Sequence, residues 1–157
     1  MKLGKLLSEE QIVMEVEAKE HWLSIVELVD CLVKTNKLSV SQREEMLEAF
    51  RVREEFVSTG IGSGVAIPHA FSDDLEDVIA VFGRSKDGID YQALDNEPVH
   101  FIVLFIVPRK NYQLHLQTLA AIAKMFTNWE ILRQLRVAKS PAEVLQILDS
   151  KPSRASA

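Results

Sequence analysis

Residues with the chemistry to hold and move an anion are concentrated in one stretch, Ser58-Thr59-Gly60-Ile61-Gly62-Ser63-Gly64-Val65-Ala66-Ile67-Pro68-His69. Glycines at 60, 62 and 64 permit positive φ angles and let backbone N–H groups approach a ligand without a Cβ in the way. The hydroxyls of Ser58, Thr59 and Ser63 supply further donors. Val65, Ala66 and Ile67 read as a short buried strand, and Pro68, which fixes φ and lacks an N–H, stops regular pairing, so His69 is expected at a strand end. A large fraction of solvated imidazole is neutral at pH 7 and nucleophilic without a strong base beside it. What it needs is a defined tautomer: a carbonyl holding the Nδ1 proton would leave Nε2 as the nucleophile. From these residues alone two readings stay open, an anion-handling site built on His69 or a glycine-marked turn followed by a structural histidine.

The spacing is not that of either familiar phosphate loop. Position 65 is Val where a dinucleotide fingerprint needs its last glycine, and no Gly-Lys-Ser/Thr follows as in a nucleotide P-loop. Nucleotide binding is therefore not expected. Close His-x-x-x-His or Glu-x-x-His spacing is also missing, so a hydrolase metal site made of His69, His115 and Asp73 is disfavoured, and neither metal nor cofactor is expected. Arg53 offers a guanidinium fork suited to phosphate oxygens. His115 precedes Leu116 by one residue and Leu119 by one turn, next to a buried stripe, which suits a core histidine as well as a site histidine.

Arg53 through His69 match the pattern R-E-x-x-x-S-T-G-I-G-x-G-x-A-I-P-H, while Asp95-Asn96-Glu97-Pro98-Val99 and His115-Leu116 match a second signature of the same family. On these motifs the chain resembles the fructose/mannitol class of enzyme IIA, phosphocarriers of the bacterial phosphoenolpyruvate-dependent phosphotransferase system, over roughly residues 5–150. The Asp-Asn-x-Pro-Val turn and the strand ending in Val107-Pro108 make it most similar to the nitrogen-regulatory branch. The resemblance implies that His69 carries the phosphoryl group on Nε2 and that His115 lies beside it. It also implies that the Arg53-Glu54 pair and the hydroxyls of Ser58 and Thr59 surround the site; Gly60, Gly62, Ser63 and Gly64 are expected to supply phosphate-binding donors from the loop. The implied donor is a phospho-HPr-like protein and the acceptor a IIB protein or a regulatory target. A sugar-specific IIA passing phosphate to a IIB cysteine, and an interaction domain that no longer takes up phosphate, remain as alternatives. Ala70-Phe71-Ser72-Asp73-Asp74 departs from the small residue and lysine usual after the histidine, giving a more acidic and apolar rim.

The elements that must position these groups read as follows. Residues 12–16 form a short strand, and apolar spacing predicts a helix over 21–38. Ser41 and Glu44 form a capping box for a second helix, with Met46, Leu47 and Phe50 as its inner stripe and an end near Arg53. Ser72-Asp73-Asp74 is a turn, 78–83 a strand, and 89–94 an edge strand or loop. Asp95-Asn96 turns the chain into a strand over 99–107, apolar enough to be buried on both faces. Helices follow over 112–127 and 129–137, and a last one starts at Ser140-Pro141-Ala142-Glu143 with a capping box and proline at its first position. The fold class expected is an α/β single-domain sandwich with a mixed central sheet flanked by helices.

Composition sets outer limits. With 157 residues, of which 47% are hydrophobic, the chain fits one domain, and residues 151–157 form a small, polar tail expected to fray. A net charge of −5 disfavours nucleic acid and suits a basic carrier protein. No run reaches the ~18 apolar residues of a membrane span, the start is not a signal peptide, and no direct membrane insertion is expected. The single cysteine, Cys31, sits in an apolar helical pattern, which reads as a buried thiol compatible with a cytoplasmic location.

Overall fold

The computed structural model describes residues 3–56 and 59–149. In chain order these form α1 (Leu3–Leu6), a 3-10 turn at Glu9–Gln11, β1 (Ile12–Val13), α2 (His21–Lys34), α3 (Val40–Phe56), β2 (Gly60–Gly62), β3 (Val65–Ala66), β4 (His69–Ser72), β5 (Ile79–Ile89), β6 (Val99–Pro108), α4 (Tyr112–Met125), α5 (Trp129–Val137) and α6 (Pro141–Asp149). The tail at 151–157 lies outside the described residues.

β6 is the strand on which the sheet is assembled. Its order is β1-β5-β6-β3-β2, with β4 also paired to β6. β5 runs antiparallel to β6, β3 and β4 run parallel to it, and β2 returns antiparallel on β3, giving a mixed sheet. Because side chains alternate across a strand, Phe101, Val103, Phe105 and Val107 pack against α4, α5 and α6. Ile102, Leu104 and Ile106 pack against α2 and α3. Two apolar layers on one twice-buried strand make the α/β/α sandwich that the sequence predicts.

Several boundaries differ from the sequence expectation. Strand 12–16 shrinks to Ile12–Val13, although the Val16 N–H still reaches the Arg84 carbonyl at 2.7 Å. Strand 78–83 extends to Ile89 through the polar run 84–88. Its ladder slips between Arg84 and Ile89, and Arg84 donates to the carbonyls of Met14, Leu135 and Ala138. Residues 90–94 add only an isolated bridge from Asp90 to Glu20. Helix 21–38 ends at Lys34, closed by Thr35.

The capping box of α3 is Ser39 with Gln42, not Ser41 with Glu44. The Gln42 N–H donates to Ser39 Oγ at 3.2 Å, and Gln42 Oε1 accepts from the Ser39 N–H at 3.1 Å. α3 also runs past Arg53 to Phe56. At α6 the Glu143 N–H donates to Ser140 Oγ, while the Glu143 carboxylate turns back one residue further, to the Lys139 N–H. Cys31 is half-buried, and burial pushes its thiol pKa up.

Phe50 is fully buried where α3 meets the sheet. Phe50→Ala is expected to lower unfolding free energy by about 3–5 kcal/mol, seen as a lower urea midpoint at unchanged slope.

Candidate functional site

Pro68 makes the site possible by breaking a strand. β3 stops at Ala66, two residues step out of the ladder, and β4 resumes pairing on the same partner with His69 opposite Phe105. His69 therefore opens a strand and does not end one as the sequence reading expects. The Pro68 carbonyl still accepts the Phe105 N–H at 2.9 Å, so the break costs the ladder little. His69 Nδ1 lies 3.0 Å from the Ile67 carbonyl oxygen. A carbonyl only accepts, so this contact puts the proton on Nδ1 and leaves the Nε2 lone pair available.

The half-buried ring lines a cleft of about 390 Å³ between the edge of the sheet and α3, whose walls include Glu48, Val52, Arg53, Phe71 and Arg109. Arg51 holds the Glu48 carboxyl below the usual carboxylate range through a hydrogen bond, keeping an acidic rim. Arg53 reaches this cleft from the last turn of α3.

Arg109 is a group that the sequence reading misses. It follows the end of β6, donates through Nε to Asp73 Oδ1 at 2.8 Å and places its guanidinium carbon 5.6 Å from the Phe71 ring centroid. Phe71 also meets Tyr112 edge-on at 6.1 Å. A usable signal was present: in sheets with parallel strands, ligands collect at the carboxyl ends, and Arg109 is the first residue beyond that end of β6. His115 lines a neighbouring cleft of about 510 Å³ with Ser72, Lys110 and Asn111, and Arg109 belongs to both clefts. Arg109 is thus the side chain that joins the two histidine clefts.

The remaining loop residues do not gather at His69. Ser63 and Gly64 form the β2–β3 turn after Gly62, the last residue of β2; all three have positive φ, and the Gly64 carbonyl accepts from the N–H groups of His100 and Phe101. At ~3.3 Å per residue the turn lies roughly 15 Å along β6 from the level of Phe105 and His69. The Ser63 N–H, moreover, is spent on Asp95 Oδ2 at 3.1 Å. The loop is expected to bind phosphate beside the histidine, but strand pairing carries its tip toward the other end of the sheet. Gly60 sits in β2, where an added Cβ would lie 2.7 Å from the Ala93 Cβ, so close packing accounts for this glycine. Ser58 lies outside the described residues.

Thr59 is buried, and its side chain joins a polar cluster behind the cleft. Its Oγ1 donates to Glu54 Oε1 at 3.0 Å and lies 2.8 Å from the Tyr91 hydroxyl. His21 Nε2 donates to the same Glu54 oxygen, and the His21 ring meets Tyr91 at a tilt of 32° with centroids 3.9 Å apart. Burial, followed by the charge on Glu54, pushes the Tyr91 phenol well above its ordinary pKa. His100, by contrast, is a structural residue whose Nδ1 donates to the Ser85 carbonyl. Among the described residues no three His, Cys, Asp or Glu side chains are grouped to hold a metal ion, and no helix is long and apolar enough to cross a membrane.

Residues 5–151 match the family model described as phosphoenolpyruvate-dependent sugar phosphotransferase system, EIIA 2. The chain is 36% identical over 149 residues to the PTS system fructose-specific EIIABC component of Bacillus subtilis (strain 168), covering 95% of this chain and 23% of that protein. It is 38% identical over 104 residues to the nitrogen regulatory protein of Escherichia coli (strain K12), covering 66% of this chain and 64% of that protein. The fold matches the crystal structure of nitrogen regulatory protein IIA-Ntr from Neisseria meningitidis at a TM-score of 0.84 and 29% identity, over 93% of this chain and 98% of that one.

The cluster behind the cleft has a pH signature. The folded state holds the Tyr91 proton more tightly than the unfolded chain, whose tyrosines ionise near pH ~10. Tyr91 therefore contributes stability that is intact below that pH and is lost as pH rises beyond it. In urea melts across the alkaline range, Tyr91→Phe is expected to lose stability less steeply than the wild type.

Proposed function

Because the chain belongs to the EIIA 2 family of the phosphoenolpyruvate-dependent sugar phosphotransferase system, we propose that it is a histidine phosphocarrier that accepts a phosphoryl group on His69 Nε2 from a phospho-HPr-like protein. The observation that carries this reading is the Nδ1 contact to the Ile67 carbonyl, in a cleft that also holds Arg53 and Arg109. In the transfer the Nε2 lone pair attacks phosphorus, the Nε2–P bond forms, and the donor's P–N bond breaks, returning its electron pair to the donor imidazole. No proton has to move. The ring becomes cationic on phosphorylation, and its Nδ1–H bond to Ile67 then becomes charge-assisted and stronger.

Catalysis of such a transfer is mostly positioning and charge stabilisation along an in-line path. Arg53 and Arg109 supply positive charge from two sides of the cleft. His115 serves as a further donor from the adjoining cleft, on the Arg109 side. In this reading protein cations perform the neutralisation, and transfer proceeds without added metal. In the same reading the protein acts in the cytoplasm on protein partners.

The acceptor side has two forms. A nitrogen-regulatory role is favoured by the 38% identity to the Escherichia coli protein and by the TM-score of 0.84 to IIA-Ntr. A sugar-specific role, passing the phosphoryl group to a IIB cysteine, is favoured by the 36% identity to the fructose-specific component.

Intact-mass analysis after incubation with phosphoenolpyruvate, enzyme I and HPr is expected to show one acid-labile phosphoryl group in the wild type and none in His69→Ala. Absence of phosphorylation in the wild type with several cognate donors would sink the carrier reading. With pre-formed phospho-donor and enzyme I removed, Arg109→Ala is expected to slow uptake by roughly ten-fold or more, with little change in melting temperature because the side chain is exposed. An unchanged rate would remove Arg109 from the site.

A further inference from the structure

We propose that His21 and Glu54 are positioning residues for His69, acting through a relay of hydrogen bonds that runs by way of Thr59 and Ile67. The links are continuous. Glu54 Oε1 accepts from the Thr59 N–H at 3.3 Å and from Thr59 Oγ1 at 3.0 Å. The Thr59 carbonyl accepts the Ile67 N–H at 3.0 Å. The Ile67 carbonyl accepts the His69 Nδ1–H at 3.0 Å. Fixing Thr59 fixes the peptide whose carbonyl selects the His69 tautomer, and Glu54 is what fixes Thr59.

Glu54 is itself held by His21, whose side chain is 15% exposed against 7% for Glu54. His21 opens α2, where its own N–H donates to the Asp90 carbonyl, and its ring is seated on Tyr91. Both ends of the Glu54 clamp are therefore built into elements of the α2–α3 layer. His21 and Glu54 line a separate cleft of about 400 Å³, so the relay crosses the protein between two surfaces.

Stability alone does not account for this carboxylate. Its Oε1 takes contacts from His21, Thr59 and Tyr91, while Oε2 is buried with no hydrogen-bond partner among the described residues. A buried carboxylate oxygen left unsatisfied costs folding free energy, and an apolar side chain of similar volume would avoid the cost. Such a group persists where its geometry serves something beyond the core.

The test compares Glu54→Ala, Glu54→Gln and His21→Phe with the wild type by three readouts: the His69 tautomer from long-range ¹H–¹⁵N imidazole correlations, the rate of phosphoryl uptake from pre-formed phospho-donor, and the melting temperature. The wild type is expected to show one His69 tautomer, protonated at Nδ1. Glu54→Ala is expected to mix the tautomers and slow uptake roughly ten-fold. Glu54→Gln keeps an acceptor for Thr59 and is expected to restore both. His21→Phe keeps a ring on Tyr91 but loses the clamp, and is expected to shift the tautomer ratio in the same direction as Glu54→Ala.

A merely structural pair would lower the melting temperature and leave the tautomer and the rate as they are, which would overturn the proposal. If Glu54→Ala does not fold, His21→Phe decides alone, and an unshifted tautomer there overturns it. The rate readout rests on His69 being the phosphoryl acceptor, but the tautomer readout does not. A shifted tautomer in a protein that takes up no phosphate would therefore reject the carrier reading and keep the relay. Normal uptake with an unshifted tautomer in every variant would do the reverse.

Discussion

The missing N–H of Pro68 is the constraint on which the rest of the site depends. Between Ala66 and His69 the chain leaves the ladder with β6 and re-enters it on the same strand. A continuous strand would engage the Ile67 carbonyl in pairing. The interruption leaves that carbonyl to the His69 ring, whose Nδ1 takes it at 3.0 Å. One proline thus sets both the position of the histidine, at the opening of an edge strand, and the nitrogen that carries its proton.

β6 can support such an interruption because it is held from both faces. Its alternating side chains feed two separate apolar clusters, one under α2 and α3 and one under α4, α5 and α6. Removing two residues of pairing from a neighbour leaves that burial intact. The same geometry lets the two helical layers each present groups at the sheet edge, Arg53 from α3 and His115 from α4. Arg109, leaving the end of β6 between them, lines both clefts.

Sequence legibility follows the range of the forces involved. The strand at 99–107 was readable to within one residue, because double burial writes a continuous apolar run. Helices at 129–137 and from Pro141 were readable because their faces and caps are local. The α3 cap lies two residues upstream of the expected one because Ser39-Val40-Ser41-Gln42 offers an equally good box just before Ser41 and Glu44. The distance of the glycine turn from His69 could not be read because the pairing of β3 with residues 101 and 102, and of β4 with 105–108, is non-local. Arg109 and the His21–Glu54 contact were invisible for the same reason: their partners lie 36 and 33 residues away. The His69 segment could be singled out because its glycine, proline and histidine chemistry lies within one short stretch.

The Arg109–Asp73 pair shows how an overall acidic protein can still offer a cation to an incoming anion. Both side chains are well exposed, 61% and 70%, so the pair is screened and contributes little to stability. A phosphoryl group carries nearly twice the charge of a carboxylate and presents oxygens that fit the guanidinium fork. In the proposed carrier reading, a phosphoryl group on the adjoining imidazole would therefore win the competition for Arg109. Stacking on Phe71 keeps the guanidinium at the cleft border whichever anion it holds. In that reading the acidic residue that follows β4 is a placeholder: it keeps the arginine extended and solvated near the site while the histidine is bare, and would release it at small cost when charge arrives.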